Sequence, residues 1–131
     1  MWVINYTGGG YMKRILIVDD AAFMRLAIKK ALQEGGFEIV GEAENGLEAV
    51  KKYIELKPDA VTMDITMEEM SGIEALKIIL KADPNAKVVM ISAMGQEAMV
   101  KEALINGAKS FIVKPFKNEH IIKVLNQVLG M

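Results

Sequence analysis

Short apolar runs alternate along this chain with longer segments in which apolar residues recur every three or four positions. The short runs are rich in Val and Ile and are typical of buried β-strands, whereas the longer spacing is typical of amphipathic helices. Five strands that alternate with five helices favour an α/β fold, in which a parallel sheet has helices on both faces. The pattern predicts strands at about 13–18, 59–63, 87–91 and 109–113, and a further strand that begins at 37. It predicts helices at about 21–34, 72–82, 95–106 and 118–129, and a further helix that ends before Pro58.

Each predicted helix has an apolar stripe that we expect to face the sheet. Asn118 is the expected N-cap of the last helix, because Asn side chains accept hydrogen bonds from the first turn. The expected inward residues are Met24, Ala27, Ile28, Ala31 and Leu32 in the first helix, Leu47, Val50 and Ile54 in the second, Ile73, Leu76 and Leu80 in the third, Val100, Ala103 and Leu104 in the fourth, and Ile121, Val124, Leu125 and Val128 in the fifth.

Residues 1–11 do not continue this pattern. Three consecutive glycines, Gly8 to Gly10, break any regular structure there, so we interpret the segment as a flexible N-terminal leader, with translation naturally starting at Met12. The alternative is an extra edge strand at 2–7, whose residues have strand propensity. Residues 12–131 are predicted to form a single domain that extends to the end of the sequence, so we expect no attached output domain.

Composition excludes several classes of function. The 131 residues contain no Cys and a single His, so a disulfide framework, a thiolate site and a His-based metal site are all excluded. Sixteen basic and seventeen acidic residues argue against a nucleic-acid partner. No apolar run approaches the roughly 18 residues of a membrane span, and no secretory signal is recognisable. We therefore expect a cytoplasmic protein with no membrane partner.

The apolar strands end on residues that can carry chemistry. The first strand is followed by Asp19 and Asp20, the third ends at Asp64, the fourth leads to Ser92 and the fifth to Lys114. Ligands of open α/β sheets bind outside the carboxyl ends of the strands. We therefore expect these side chains to meet at one edge of the sheet, with Asp64 near the middle.

The acids predict a metal site. Asp19 or Asp20 could instead cap the first helix, but a cap does not explain a third carboxylate, Asp64, on another strand. Three adjacent carboxylates repel one another unless a cation joins them, and a few hard oxygen ligands suit Mg²⁺.

The remaining groups are consistent with phosphoryl transfer. Lys114 precedes Pro115, and a cis bond there could orient its amine toward Asp64. Ser92 could donate its hydroxyl to a phosphoryl group, although a turn cap is the simpler role. Phosphoryl transfer needs positioning and charge neutralisation, and a carboxylate can be the nucleophile. The sequence has no Walker loop, and a lone His120 gives no plausible Ser-His-Asp arrangement.

Four motifs resemble those of the receiver domains of two-component response regulators: Ile17-Val18-Asp19-Asp20, Met63-Asp64, Ser92-Ala93 and Lys114-Pro115-Phe116. The resemblance covers about 13–130, and it is strongest to the stand-alone chemotaxis regulators, of the kind found in thermophiles. It implies a flavodoxin-like receiver fold with strand order 2-1-3-4-5, of which chemotaxis receivers are a standard example.

The resemblance also implies roles at the acids. Asp64 would be the phosphoacceptor, phosphorylated by a histidine kinase. Asp20 and Asp64 would bind Mg²⁺ directly, together with the backbone carbonyl of Thr66, and Asp19 would act largely through water. In this family Met is usually followed by Pro after the phosphorylation strand. Here Glu68 takes that place and adds an acid near the site, which affects metal affinity and the dephosphorylation rate.

Ser92 and Lys114 would hold the phosphoryl oxygens. Phe111 would be the aromatic switch residue, although the residues alone favour ordinary strand packing for it. Ser92 replaces the commoner Thr and keeps the hydroxyl, whereas Phe111 lacks the hydroxyl of the Tyr found in many relatives.

The function implied is a monomeric signalling switch, and not an enzyme beyond its own phosphorylation and dephosphorylation. Phosphorylation would change the face formed by helix 4, strand 5 and helix 5, which would bind the flagellar motor switch protein, and a phosphatase is a further implied partner. One alternative is a phosphorelay intermediate receiver. A remote alternative is an aspartate-nucleophile phosphatase, which needs an acid two residues after the nucleophile, where this chain has Thr66.

Overall fold

Five strands and five helices alternate along residues 12–131, the part of the chain described by this computed structural model. The predicted leader at 1–11 lies outside the described residues. The predicted order of elements is confirmed, with ends that differ by a few residues. The elements are β1 Arg14–Val18, α1 Ala22–Glu34, β2 Glu38–Ala43, α2 Gly46–Leu56, β3 Ala60–Asp64, α3 Gly72–Ala82, β4 Val88–Ser92, α4 Glu97–Ile105, β5 Ser110–Val113 and α5 Asn118–Val128.

The five strands form one parallel sheet with the order β2-β1-β3-β4-β5, as the family resemblance implied. The strands β3 and β4 are buried along their whole length, and so is β1 after its first residue. Burial on both faces explains why they read as continuous apolar runs. The chain leaves β1 toward β2 on one side and returns to β3 on the other, so the order reverses between β1 and β3. Such a reversal opens a crevice at the carboxyl ends of the two strands.

Two apolar cores lie on opposite faces of the sheet. Alternate strand residues such as Ile17 and Ile91 pack with α1 and α5, and the intervening residues, such as Met63 and Met90, pack with α2, α3 and α4. This division follows from the two-residue period of a strand. The helices therefore clamp the central strands from both sides and fix the positions of their carboxyl ends. No helix among residues 12–131 is long and apolar enough to cross a membrane.

The predicted inward face of α2 is only partly correct, because Val50 packs against the core whereas the other two predicted residues do not. Leu47 and Ile54 are 50% and 55% exposed, and the buried positions are instead Ala49 and Tyr53. The reason is the amphipathic character of Tyr53, which buries its ring while its hydroxyl donates to Asp83 Oδ2 at 2.7 Å. Burial, with this hydrogen bond and the Asp83 charge, raises the pKa of Tyr53. Two further residues expected to face the sheet, Ala27 in α1 and Leu104 in α4, are exposed as well.

The predicted cap of α5 is wrong, and the capping role considered as an alternative for Asp19 or Asp20 is not found. Asn118 is the first residue of α5, and the N-cap is Lys117, which makes no side-chain capping bond. The N-cap of α1 is Ala21, so neither Asp19 nor Asp20 holds that position. Asp19 Oδ1 instead accepts the Ala21 N–H at 2.9 Å, which closes a turn just before the helix. The Asp19 side chain is thereby oriented without being a cap in the usual sense.

Gly72 allows the start of α3 to lie directly against the end of β3. Its N–H donates to the carbonyl of Ile65 at 2.8 Å. A Cβ at this position would overlap the backbone carbonyl oxygen of Asp64. Because backbone atoms at a buried strand end cannot move aside, only glycine at position 72 allows this close approach to Asp64. The approach holds the chain in place around Asp64.

We expect Gly72→Ala to destabilise the protein by about 1–3 kcal/mol, the usual cost of overpacking a core. Gly35→Ala is the matched control, since its Cβ would meet only side-chain atoms of Ile122, the nearest at 2.9 Å. Urea unfolding of both variants measures the difference. Equal losses of stability would show that the approach of Gly72 to Asp64 has no special energetic role.

Candidate functional site

Three carboxylates converge at the crevice between β1 and β3. Asp19 and Asp20 follow β1, and Asp64 is the last residue of β3. The register pairs Val18 with Met63, which places the following residues of both strands side by side. One carboxylate oxygen from each acid lies within 4.8 Å of those of the other two, with Asp19 and Asp64 buried and Asp20 exposed. The predicted convergence of the three acids is confirmed.

Lys114 bridges two of these acids. Its Nζ lies 3.4 Å from Asp19 Oδ2 and 3.4 Å from Asp64 Oδ1. The pair with Asp64 was predicted, and the pair with Asp19 was not. The lysine follows β5, and its backbone N–H donates to the carbonyl of Ser92 at 2.7 Å. The bond between Lys114 and Pro115 is cis. The amine therefore reaches across the end of β4 to the acids.

The charge of Asp64 is only partly compensated. Burial raises the pKa of Asp64 to about 6, and the charge of Asp19 adds to this effect. The amine of Lys114 lowers the pKa in the opposite direction, and Asp20 raises it by a smaller amount. One amine thus fails to offset three carboxylates. A divalent cation at the same place would supply the missing positive charge.

Ser92 ends β4 on the same edge of the sheet. Its side chain is 1% exposed, and its hydroxyl has no hydrogen-bond partner among residues 12–131. A buried hydroxyl without a partner costs free energy, so such a group in a site suggests a ligand that supplies one. The simpler role of a turn cap, considered from the sequence, is not found in the described structure. The hydroxyl is available to an oxygen-rich ligand.

The acids fit Mg²⁺ in chemical character, since they offer three hard oxygen donors at one edge of the sheet, where only Asp20 is exposed. The role of Asp20 and Asp64 as direct ligands, with Asp19 acting largely through water, stays a prediction. Thr66 is exposed, and its hydroxyl accepts a hydrogen bond from Gln96 Nε2 at 2.8 Å. The role implied for the Thr66 backbone carbonyl as a metal ligand stays a prediction. Glu68 lines a cavity together with Asp20, so its expected place near the acids is confirmed.

Phe111 does not pack in the core. Its side chain is 41% exposed, so ordinary strand packing, which the residues alone favoured, is wrong. The ring lines a groove of roughly 520 Å³ between β5 and α4, and Ser92 lies in the same groove. The groove therefore runs from the end of β4 to an exposed aromatic ring. The role of Phe111 as a switch stays a prediction.

Sequence reasoning missed two polar residues that organise the site. Arg25 donates from Nη1 to the carbonyl of Asp19 at 2.6 Å and from Nε to Glu42 Oε1 at 3.1 Å, which braces the end of β1. Gln96 connects the loops that follow β3 and β4. Neither contact leaves a periodic signal in the sequence, because each joins segments that only the fold brings together.

Comparison with known proteins agrees with this geometry. Residues 15–126 match the model of the response regulator receiver domain. The chain is 62% identical to the chemotaxis protein CheY of Thermotoga maritima over 116 residues, covering 88% of this chain and 97% of the relative. It is 59% identical to CheY of Bacillus subtilis over 117 residues, covering 89% and 98%.

A solved structure with a similar fold is the CheX-CheY-BeF3-Mg²⁺ complex from Borrelia burgdorferi. It superposes with a TM-score of 0.85 at 43% identity and covers 88% of each chain. The match of the receiver model to most of the chain, the identity to relatives of nearly the same length and the shared fold agree with one another. This chain belongs to the response regulator receiver domain family, within which it is similar to the chemotaxis CheY proteins.

Proposed function

We propose that this protein is a cytoplasmic signalling switch that is phosphorylated on Asp64 by a histidine kinase in the presence of Mg²⁺. The observation that carries the proposal is the set of groups around one carboxylate. Lys114 Nζ lies 3.4 Å from Asp64 Oδ1, and the Ser92 hydroxyl is buried on the neighbouring strand without a hydrogen-bond partner in the described part of the chain. A nucleophile beside a cation and a free hydroxyl donor is the arrangement that phosphoryl transfer requires.

The chemistry follows from these residues. An oxygen of Asp64 attacks the phosphorus of a phosphohistidine, so an O–P bond forms, the N–P bond breaks and the imidazole leaves. Lys114 and Ser92 hold the phosphoryl oxygens by hydrogen bonds, the first of them assisted by charge. Mg²⁺, when bound by Asp20 and Asp64, supplies positive charge to the transferred group. Hydrolysis of the aspartyl phosphate restores the resting carboxylate.

The output surface that we propose is the α4–β5–α5 face. A phosphoryl group on Asp64 adds charge that attracts Ser92 and Lys114, and both residues border this face. Its helix α4 buries only Val100 and Ala103, so a shift of α4 disturbs little of the core. The protein thus moves between two populations, of which phosphorylation favours one.

The flagellar motor switch protein is the partner we propose for this face. Support comes from the relatives, several of which are chemotaxis proteins of nearly the same length. The Borrelia relative forms a complex with CheX while it carries BeF3 and Mg²⁺, which supports a second kind of partner that acts on the phosphorylated form, such as a phosphatase. A phosphorelay intermediate would use the same site, but no feature of the site favours it. The aspartate-nucleophile phosphatase alternative lacks its acid, since Thr66 carries no carboxyl group.

The acceptor is tested by phosphorylation with acetyl phosphate and Mg²⁺. We expect intact mass spectrometry to show one added phosphoryl group on the wild type and none on Asp64→Asn. Asp59→Asn is the control, because Asp59 lies just before the opposite end of the same strand, where it accepts the Arg14 N–H at 2.7 Å. Labelling that survives in Asp64→Asn, or that is lost in Asp59→Asn, would contradict the assignment.

Metal binding is tested by thermal unfolding. Mg²⁺ should stabilise the native state by about 2.7 kcal/mol when its concentration is roughly a hundred times its dissociation constant. In EDTA, Asp20→Asn should melt above the wild type, by roughly 3–6 °C if the relief of repulsion amounts to about 1 kcal/mol, and should gain less from Mg²⁺. Lys114→Ala should melt lower in EDTA, whereas Lys109→Ala, at the other end of β5, should not. If Asp20→Asn melts below the wild type in EDTA, repulsion is not the dominant effect of this carboxylate.

The raised pKa of Asp64 predicts a pH dependence of the metal-free protein. The native pKa is about 6 and the ordinary value is 3.8, so the native state binds a proton more readily than the unfolded state. The stability from this proton is fully present below the ordinary value and is lost as the pH rises through about 6. Urea unfolding in EDTA should therefore show Asp64→Asn gaining on the wild type as the pH is raised from 4 to 7. A difference that stays constant across this range would be inconsistent with a raised pKa.

A further inference from the structure

The side chain of Gln96 joins the two loops that border the site. Its Nε2 donates to Thr66 Oγ1 at 2.8 Å, and its Oε1 accepts the Ala93 N–H at 2.6 Å. Thr66 lies two residues after Asp64, and Ala93 directly follows Ser92. One amide group therefore connects the loop of the phosphoacceptor with the loop of the hydroxyl donor.

Gln96 also begins α4. It is the N-cap residue, and its carbonyl accepts the Val100 N–H at 2.9 Å, while its side chain caps no N–H of its own helix. The two residues before it, Met94 and Gly95, are exposed. The start of α4 is thus connected to the loop after β3 through the same side chain that holds the Ala93 N–H.

The Ala93 N–H is directed toward β3. The carbonyl of Ile91 accepts the Ile65 N–H of the β3 side at 3.2 Å, whereas the carbonyl of Ser92 accepts the Lys114 N–H of the β5 side at 2.7 Å. The backbone groups of successive residues in a parallel strand point to opposite neighbours. Ala93 lies just past the end of β4, and its N–H is bonded to the Gln96 side chain that reaches Thr66 after β3, so this N–H lies on the side of the strand that carries the acceptor.

The regular ladder does not use this N–H. The carbonyl of Ile65, which would be its next partner in a continued ladder, instead accepts the N–H of Gly72 at 2.8 Å. In the resting protein the Ala93 N–H is held by the neutral amide oxygen of Gln96. The anionic oxygens of a phosphoryl group on Asp64 are stronger acceptors than an amide, so they would compete for it.

We propose that Gln96 is a positioning residue that acts as a latch. It holds the Ala93 N–H by a hydrogen bond in the resting protein and releases this N–H to the phosphoryl group on Asp64. Loss of this bond loosens the first turn of α4 when the site is occupied. The latch rests on the proposed function, because it needs a phosphoryl group at Asp64. Gln96 is thus a further functional residue, in addition to the acids, Ser92 and Lys114. It connects the presence of a phosphoryl group at the site to the start of α4.

The test compares binding of beryllofluoride in saturating Mg²⁺ by the wild type and Gln96→Ala, followed by amide NMR. Removing the competing acceptor should tighten beryllofluoride binding by roughly three- to tenfold, the range that one hydrogen bond gives. Without any ligand, the Ala93 amide should exchange with solvent faster in Gln96→Ala than in the wild type.

A further variant separates a latch from a general loosening of the helix. Glu97→Gln alters the first turn of α4 without touching either loop and should bind beryllofluoride as the wild type does. The inference is overturned if Gln96→Ala binds beryllofluoride no more tightly than the wild type, or if Glu97→Gln gains as much. If the wild type itself binds none, or Asp64→Asn binds as well as the wild type, the proposed function fails, which is a distinguishable result.

Discussion

The imbalance of charge at the end of β3 is the constraint on which this structure depends. Strands β1 and β3 are buried on both faces, so the sheet holds Asp19 and Asp64 together at a point where no relaxation can separate them. Among the described residues, the amine of Lys114 is the only cationic side chain within ion-pair distance of these carboxylates. Burial and repulsion keep the pKa of Asp64 raised in spite of that amine. The fold thus retains a carboxylate that gains from any added positive charge.

Rigidity on one side of the site is paired with light packing on the other. The acids stand on central strands clamped by helices from both faces, whereas α4 contributes only Val100 and Ala103 to the core. We propose that a change at Asp64 is absorbed outside the sheet, along the groove that runs from Ser92 to Phe111 beside α4. Because of this difference in packing, a change of charge at Asp64 would be transmitted toward α4 and β5 and not into the sheet.

The sequence predicted the site better than it predicted the helix faces. An acid, a hydroxyl or an amine directly after an apolar run marks a strand end, and parallel strands bring such ends to one edge, so the meeting of Asp64, Ser92 and Lys114 could be anticipated. The face of α2 could not, because two apolar stripes compete there and the hydrogen bond from Tyr53 to Asp83 decides between them. The Gln96 bridge spans loops thirty residues apart and has no local signature.

Further acidic residues lie beside the three site carboxylates. Glu44, Glu68 and Glu69 line a cavity with Asp20 at the open side of the site, while Arg25 is paired with Glu42 and does not compensate them. A negatively charged cavity concentrates cations and repels anions. The resting site therefore attracts a divalent cation and opposes a dianionic phosphoryl donor. We therefore propose that phosphoryl transfer becomes favourable only after a cation has reduced this negative charge, and that the carboxylate of Glu68 strengthens that order.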